Sequence, residues 1–441
     1  MDDVDVNENE EDGLHSVGQI ELSLENITYA PVVRSGRGVK SSAGGGGLCS
    51  CFKSQSSGGN SEIKSRKVVL QDVSAKVSPY MLSAWMGPSG SGKTSLVSVA
   101  AGYCPKSDLI DESTVRSNGN RGRPPAHMVS VVHQDDLMLP NLTVTETIAF
   151  AARLKNSDVD VSSEAVARLV DETITELGLS SCRDSLVGGV STRGISGGER
   201  KRLAVAVELV GRPSILLMDE PTSNLDSTAA YALMTTLKEL ARAGHSIAVV
   251  VHQPRTEIFN LFDDLLLLSR GRAVYSGRPD GVQDYLESVP TVEPLPKMTG
   301  IADWVMDSIS LDEKRDGGAG SVLANHWRDA NDEGRSKAMT MHRSRSMRLS
   351  SLAELHAEPK FKTRFSTQLK MLVKRSWIQQ RGERLTRVAC IFTSAYVIFT
   401  SILYFRMPDR TDYIFRKTVS ALLYDHHARE RNCHQFCWVI Q

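Results

Sequence analysis

One short segment, Gly87 to Thr94, constrains the fold of this chain more than any other. It reads Gly-Pro-Ser-Gly-Ser-Gly-Lys-Thr, a pattern whose glycines let successive backbone N–H groups point at phosphate oxygens where a helix begins. An apolar run at residues 81–86 precedes it, and a helix-forming run follows from Ser95. Strand, loop and helix in this order predict an α/β fold in which the loop binds a nucleotide triphosphate.

The residue types in this loop indicate separate roles. Lys93 is placed to reach the terminal phosphates, and the hydroxyl of Thr94 is placed to bind Mg²⁺. The predicted nucleotide-binding residues of the loop are Gly87, Pro88, Ser89, Gly90, Ser91, Gly92, Lys93, Thr94 and Ser95.

A second glycine-rich helix start follows later in the chain, at Ser196-Gly197-Gly198-Glu199. It fits the S-x-x-E capping box, in which the serine side chain accepts from the glutamate N–H and the glutamate carboxylate accepts from the serine N–H. Residues 200–210 then predict a helix with one apolar side. Taken alone, the motif is equally an ordinary helix start or a second anion-binding site.

Three apolar runs end in polar residues, at Gln134, at Asp219-Glu220 and at His252. Buried parallel strands read as such runs, and their carboxyl ends deliver side chains to one edge of the sheet. The Gln134 amide is suited to bind Mg²⁺ or orient water, and Asp219 is suited to bind Mg²⁺. Glu220 is suited to polarise an attacking water. Taken singly, Gln134 and His252 would be ordinary polar residues. Their position at the ends of successive predicted strands is what indicates a shared site.

In this order, the motifs resemble the nucleotide-binding domain of an ATP-binding cassette (ABC) transporter over residues 19–290. The resemblance implies a P-loop NTPase fold with a helical signature subdomain, ATP and Mg²⁺ as ligands, and two domains that close head to tail over two nucleotides. It also implies the site roles: Walker A at Gly87–Thr94, Q-loop Gln134, signature Ser196, Gly197, Gly198 and Glu199, Walker B Asp219 and catalytic base Glu220, D-loop residues 223–226 with Asp226, and switch histidine His252.

Several local stretches, among them Pro221-Thr222-Ser223 and His252-Gln253-Pro254, resemble the G subfamily of half-transporters. Two departures from the family pattern stand out. Asn224 occupies a D-loop position where glycine is common, and asparagine is the next-best residue for left-handed backbone. Ser78-Pro79-Tyr80 stands where a glycine turn is usual. Tyr29 is a candidate for stacking on adenine, with a plain strand residue as the alternative.

The amino-acid composition limits the classes of protein to which this chain can belong. Lys and Arg total 52 and Asp and Glu total 52, so the net charge of zero gives no support for a nucleic-acid partner. The seven cysteines lack a regular spacing, which fits a reducing compartment. We expect an acidic disordered tail at residues 1–18 without a secretory signal, a Gly/Ser-rich insertion at 34–61 and a polar linker at 291–360.

The C-terminal part predicts membrane association. Residues 361–385 resemble an amphipathic connecting helix, and residues 386–405 include the uncharged run Val388 to Phe405, at the lower limit for a transmembrane helix. A buried soluble helix is the alternative. We interpret residues 406–441 as an atypical tail and the membrane domain as truncated, since the family would supply about six spans.

The sequence therefore predicts the ATP-hydrolysing subunit of a G-type half-transporter. It would pair with a second half-transporter, lie in a membrane, with the plasma membrane favoured, and export lipid-like or xenobiotic substrates. The nucleotide-binding domain would be cytosolic. One alternative is a membrane-tethered ATP-binding fragment that is regulatory or inactive in transport. A soluble cassette ATPase is a weaker alternative, because it does not account for the apolar run.

Overall fold

The computed structural model describes residues 18–34, 64–110, 112–135, 137–156, 163–189, 192–315, 321–338, 365–381, 391–392, 394–399 and 401. It divides the chain into two units, residues 1–375 and 376–441. The predicted acidic tail, apart from residue 18, and most of the predicted insertion lie outside the described residues.

The first unit alternates strands and helices. Its strands are β1 (Leu22–Tyr29), β2 (Val32–Arg34), β3 (Lys64–Arg66), β4 (Leu70–Val77), β5 (Leu82–Met86), β6 (Thr114–Ser117), β7 (Asn120–Arg121), β8 (Val129–Val132), β9 (Ile215–Asp219), β10 (Ser246–Val250), β11 (Asp264–Ser269) and β12 (Arg272–Gly277). The helices are α1 (Lys93–Ala101), α2 (Val144–Lys155), α3 (Ser163–Glu176), α4 (Gly197–Leu209), α5 (Ser227–Arg242), α6 (Thr256–Phe259), α7 (Val282–Glu287), α8 (Ile301–Arg315), α9 (Val322–Ala338) and α10 (Phe365–Arg381), the last of which runs into the second unit.

The main sheet has six strands in the order β12-β11-β5-β10-β9-β8. Its neighbours pair in parallel, except β11 and β12, which are antiparallel. Strands β5, β9 and β10 are buried along their whole length. Parallel strands covered on both faces need continuous apolar sequence, which explains the apolar runs seen in the sequence. The predicted α/β fold is confirmed.

Each face of the main sheet buries a separate apolar core. On β9, Leu216 and Met218 belong to one core and Ile215 and Leu217 to the other, because successive side chains of a strand point to opposite faces. Trp85 is the largest fully buried side chain and lies in the second core. Burial of a large apolar side chain stabilises a fold by about 1.5–3 kcal/mol, so both cores hold the sheet edges in place.

A second, four-stranded sheet in the order β4-β1-β6-β7 is antiparallel and packs into the second core. Strands β2 and β3 pair antiparallel on either side of the predicted insertion, so the chain enters and leaves that segment at neighbouring positions.

The segment that we interpreted as a linker after residue 290 contains two helices, α8 and α9. Trp304, Val305 and Ile309 of α8 and Leu323 of α9 are buried in the first core. The nucleotide-binding domain therefore continues past residue 290. The polar, Arg- and Ser-rich sequence of residues 311–360 favoured the linker interpretation and concealed these helices. Residues 339–360 of the predicted linker lie outside the described residues.

In the second unit, α10 continues to Arg381, and residues 391–392, 394–399 and 401 are helical. Several of their apolar side chains are exposed, including Ile391, Phe392 and Phe399. Among the described residues, no helix combines the length and apolar character needed to cross a bilayer. About half of the predicted span and the whole predicted tail lie outside the described residues, so both stay predictions.

Candidate nucleotide-binding site

The register of the parallel strands gathers the predicted site residues at one edge of the sheet. Trp85 of β5 pairs with Val250 of β10, and Val250 pairs with Asp219 of β9. The three strands therefore end at the same level. The segments that follow these strands and β8 carry the phosphate loop, Glu220, His252 and Gln134. Open α/β sheets bind ligands at this edge.

The phosphate loop fits tightly against the end of β11. Gly87 has φ +154°, and a Cβ atom added there would lie 2.2 Å from the carbonyl oxygen of Leu268. Only glycine allows this approach between the two backbones. The loop then enters α1, whose first residue is Lys93. In the loop Ser89 and Gly90 are exposed, and so is Thr94 in the first turn of α1, while Ser91 is buried.

The Lys93 side chain is buried and folded back over its own loop. Its ammonium group donates to the carbonyl oxygens of Gly87 and Pro88, each at 2.8 Å. Burial lowers the pKa of Lys93, while the nearby carboxylates of Glu220, Asp219 and Glu313 oppose that shift. A nucleotide phosphate that enters the loop would replace the two carbonyl oxygens as the partner of this ammonium group.

The carboxylates after β9 occupy different surroundings. Glu220 is half-buried, and its Oε2 accepts a hydrogen bond of 3.0 Å from Nε2 of Gln134. This bond brings together two residues that are far apart in the sequence but lie at the ends of neighbouring strands. Glu220 also has φ +49°, a left-handed conformation that costs a non-glycine residue about 1 kcal/mol. Backbone strain of this kind is concentrated at functional sites.

Asp219 is suited to a metal ion. Its side chain is 7% exposed, and its Oδ1 atom is buried without a hydrogen-bond partner. A buried carboxylate oxygen needs a compensating partner, and a hard cation with oxygen ligands supplies one. The exposed hydroxyl of Thr94 and the amide of Gln134 are the other predicted ligands of Mg²⁺ at this edge.

Two loop residues near the site adopt left-handed backbone. Asn224 has φ +60°, which confirms that asparagine takes the conformation expected of glycine in the D-loop. Gln253 has φ +48° and directly follows His252, whose side chain is exposed. An exposed imidazole at the end of β10 is free to meet a ligand at the sheet edge.

The capping box predicted at the signature motif is confirmed. Glu199 N donates to the Ser196 hydroxyl at 3.3 Å, and Ser196 N donates to the Glu199 carboxylate at 2.8 Å. The hydrogen bonds from Ser196 lower the pKa of Glu199. A Cβ atom on Gly197 would lie 3.9 Å from the carbonyl oxygen of Asn224, so the signature motif adjoins the D-loop. Asp226 caps α5, because its carboxylate accepts from Ala229 N at 2.8 Å.

The signature motif and the phosphate loop remain separate within one chain. Within the part of the chain that the structure describes, no hydrogen bond or ion pair joins residues 87–95 to residues 196–199. The described interactions of the single chain connect the phosphate loop, Asp219, Glu220 and Gln134, and they do not include Ser196 to Glu199.

Sequence reasoning missed Lys201, which links the signature helix to the Q-loop. Lys201 is 2% exposed, and its ammonium group donates to the carbonyl oxygen of Gln134 at 2.9 Å. The partner is a backbone atom of a residue distant in the sequence, so no sequence motif predicts this contact. The only available signal was a lysine on the mainly apolar side of the predicted helix.

Two aromatic residues singled out in the sequence have structural roles. Tyr29 packs against the second core, and burial together with a hydrogen bond to Cys104 raises its pKa to about 12. This contact favours the strand-residue interpretation over stacking on adenine. Tyr80 has φ +64°, so it adopts the left-handed turn that glycine usually fills.

Comparison with known proteins identifies the class of this domain. The ABC transporter family profile matches residues 70–223, which contain the phosphate loop, the signature motif and Asp219-Glu220. The domain is therefore an ABC-type ATPase domain, as the motifs predicted.

Several similar proteins are G family transporters. ABC transporter G family member 7 of Arabidopsis thaliana is 40% identical over 250 residues, which are 56% of this chain and 34% of that protein. G family member 21 is 38% identical over 293 residues, 66% of this chain and 40% of that protein. G family member 22 is 40% identical over 223 residues, which are 51% of this chain and 29% of that protein. The chain is similar to these ABC transporter G family proteins over its nucleotide-binding region and spans 29–40% of their length.

Proposed function

We propose that this chain binds and hydrolyses ATP at the carboxyl edge of its main sheet. The observation that carries this proposal is the bond between Gln134 and Glu220 beside the phosphate loop. It places a carboxylate and its amide partner at the sheet edge that bears Lys93, where a terminal phosphate would lie.

Each residue at this edge of the sheet is proposed to have a separate role in ATP hydrolysis, which follows from its surroundings. Lys93 would exchange its two carbonyl partners for phosphate oxygens. The backbone N–H groups of the loop would donate to the other phosphate oxygens. Glu220 would take a proton from the attacking water, which Gln134 orients. His252 would contact the outgoing phosphate from the end of β10. Mg²⁺, held by Thr94, Asp219 and Gln134, would neutralise charge on the phosphates.

The signature motif supports a second chain as partner. Ser196, Gly197, Gly198 and Glu199 begin a helix whose N–H groups favour an anion, yet no described hydrogen bond joins them to the phosphate loop of their own chain. We infer that they face the nucleotide held by a second half-transporter, so that two chains close over two ATP molecules. Co-purification of two differently tagged copies tests whether that partner is an identical chain.

We further propose that closure drives the export of lipid-like or xenobiotic substrates across a membrane, with the plasma membrane favoured. The similarity to G family transporters and the exposed apolar side chains of the second unit support this proposal. The substrate class comes from the family resemblance.

The test is MgATP binding and turnover by the full chain in detergent, compared with Lys93→Ala. We expect the variant to lose both, because the ammonium group is the buried cation of the loop. Lys314→Ala, a change at an exposed lysine of α8, is the matched control and should leave both unchanged. A wild-type chain that binds MgATP without turning it over would favour the alternative of a regulatory or transport-inactive fragment.

A further inference from the structure

Helix α8 ends beside the turn that joins β11 to β12. Ser269 is fully buried, and its hydroxyl donates to Oε1 of Glu313 at 2.7 Å. The guanidinium group of Arg270 donates to the backbone carbonyl oxygen of the same glutamate. Glu313 therefore holds two consecutive residues of the turn, one through its side chain and one through its backbone.

The next residue of the turn contacts the phosphate loop. Gly271 N donates to the carbonyl oxygen of Ser91 at 2.9 Å. The residue before Ser269 also touches the loop, since the carbonyl oxygen of Leu268 is the group that restricts Gly87. The turn is thus fixed between α8 on one side and the phosphate loop on the other, and a displacement of Glu313 would be transmitted to the loop.

Glu313 also brings a third carboxylate close to Lys93. Its charge acts on the Lys93 ammonium group together with the charges of Asp219 and Glu220. The mechanism uses those two carboxylates but gives no role to Glu313. A half-buried negative charge near the loop supports Lys93 when the loop is empty and repels phosphates when they enter.

We propose that Glu313 is a positioning residue of the nucleotide site, which holds the turn of residues 269–271 against the phosphate loop and whose charge weakens nucleotide binding, more for ATP than for ADP. The difference arises because the third phosphate adds negative charge next to Lys93. This inference rests on the proposed function, since it assumes that the loop binds nucleotides.

The experiment is equilibrium binding of MgATP and MgADP to the full chain in detergent. Glu313→Gln keeps an oxygen that can accept from Ser269 but removes the charge. We expect the Kd for MgATP to fall about threefold or more and the Kd for MgADP to fall less, with a smaller difference at high salt. Glu313→Asp retains the charge but shortens the side chain and weakens the hydrogen bond from Ser269, so we expect neither Kd to fall and both to rise or stay unchanged.

Glu239→Gln removes an exposed carboxylate from the last turns of α5 and is the matched control, which should leave both Kd values unchanged. Thermal unfolding establishes that each variant is folded. Equal MgATP and MgADP affinities in the wild type and Glu313→Gln would overturn the inference. The same shift in Glu313→Asp and Glu313→Gln would also overturn it, because charge would then not be the cause. A wild type that binds neither nucleotide would instead refute the proposed function.

Discussion

Two capping boxes among the described residues, at Thr143 and Ser196, allow the structural and functional roles of the signature serine to be separated. Ser196→Ala removes the hydroxyl that accepts from Glu199 N at 3.3 Å and donates to the Glu199 carboxylate at 2.9 Å. Thr143→Ala removes the equivalent acceptor of Glu146 N, at 3.1 Å, from the start of α2. Both variants keep the backbone half of the box, so the two perturbations are closely matched.

We expect each variant to lose about 1 kcal/mol of stability, the usual cost of replacing a helix cap by alanine. For a domain of this size the unfolding temperature should fall by about 3 °C. Domains are commonly stable by about 5–15 kcal/mol, so neither variant should unfold at the assay temperature. The turnover of MgATP should nevertheless fall about tenfold or more in Ser196→Ala, because the hydroxyl that we propose to bind the partner's nucleotide is lost, and should stay near the wild-type value in Thr143→Ala.

The assay is steady-state ATP turnover of the full chain beside a thermal unfolding scan of the same preparation. Wild-type turnover in Ser196→Ala would refute the role of the signature motif. Equal losses of turnover in the two variants would show that a general weakening of the helices, and not the signature motif, determines activity.

Two further changes test other parts of the account. Gly271→Ala should destabilise the fold by about 2 kcal/mol or more. The backbone φ is +79° at this position, and a Cβ atom would lie 2.1 Å from the carbonyl oxygen of Val69. An unchanged midpoint of urea unfolding would contradict this expectation. Burial raises the pKa of Asp264 to about 6, above its unfolded value, so its ionisation costs stability as the pH rises through that range. Asp264→Asn should therefore stabilise the protein at pH 7 by about 1 kcal/mol, after allowance for partial solvent screening, and much less at pH 4. A gain in the urea midpoint that is equal at both pH values would refute the assignment.

Much of the sheet and its edge could be predicted from the sequence, because buried parallel strands must be apolar throughout. The runs that end at Gln134, Asp219 and His252 became β8, β9 and β10, and their order placed the polar residues at one edge. The box at Ser196 could be predicted for a local reason, since its two partners lie three residues apart.

Contacts made by tertiary packing could not be predicted in the same way. Lys201 reaches a backbone oxygen of the Q-loop, and Glu313 reaches the turn beside the phosphate loop from a segment that we interpreted as a linker. Both contacts depend on how helices pack against the sheet, which no spacing in the sequence encodes. The positive φ of Glu220 also depends on the surrounding structure, because glutamate does not favour that conformation.

We propose that Glu220 is the base for ATP hydrolysis, and the Glu220→Gln variant is the direct test of that role. The measurement is MgATP turnover by the full chain together with the Kd for MgATP. Gln keeps the size of the side chain and its contact with Gln134 but cannot accept the proton from water. We expect turnover to fall about 100-fold or more while nucleotide binding is retained. Equal turnover in the variant and the wild type would contradict it.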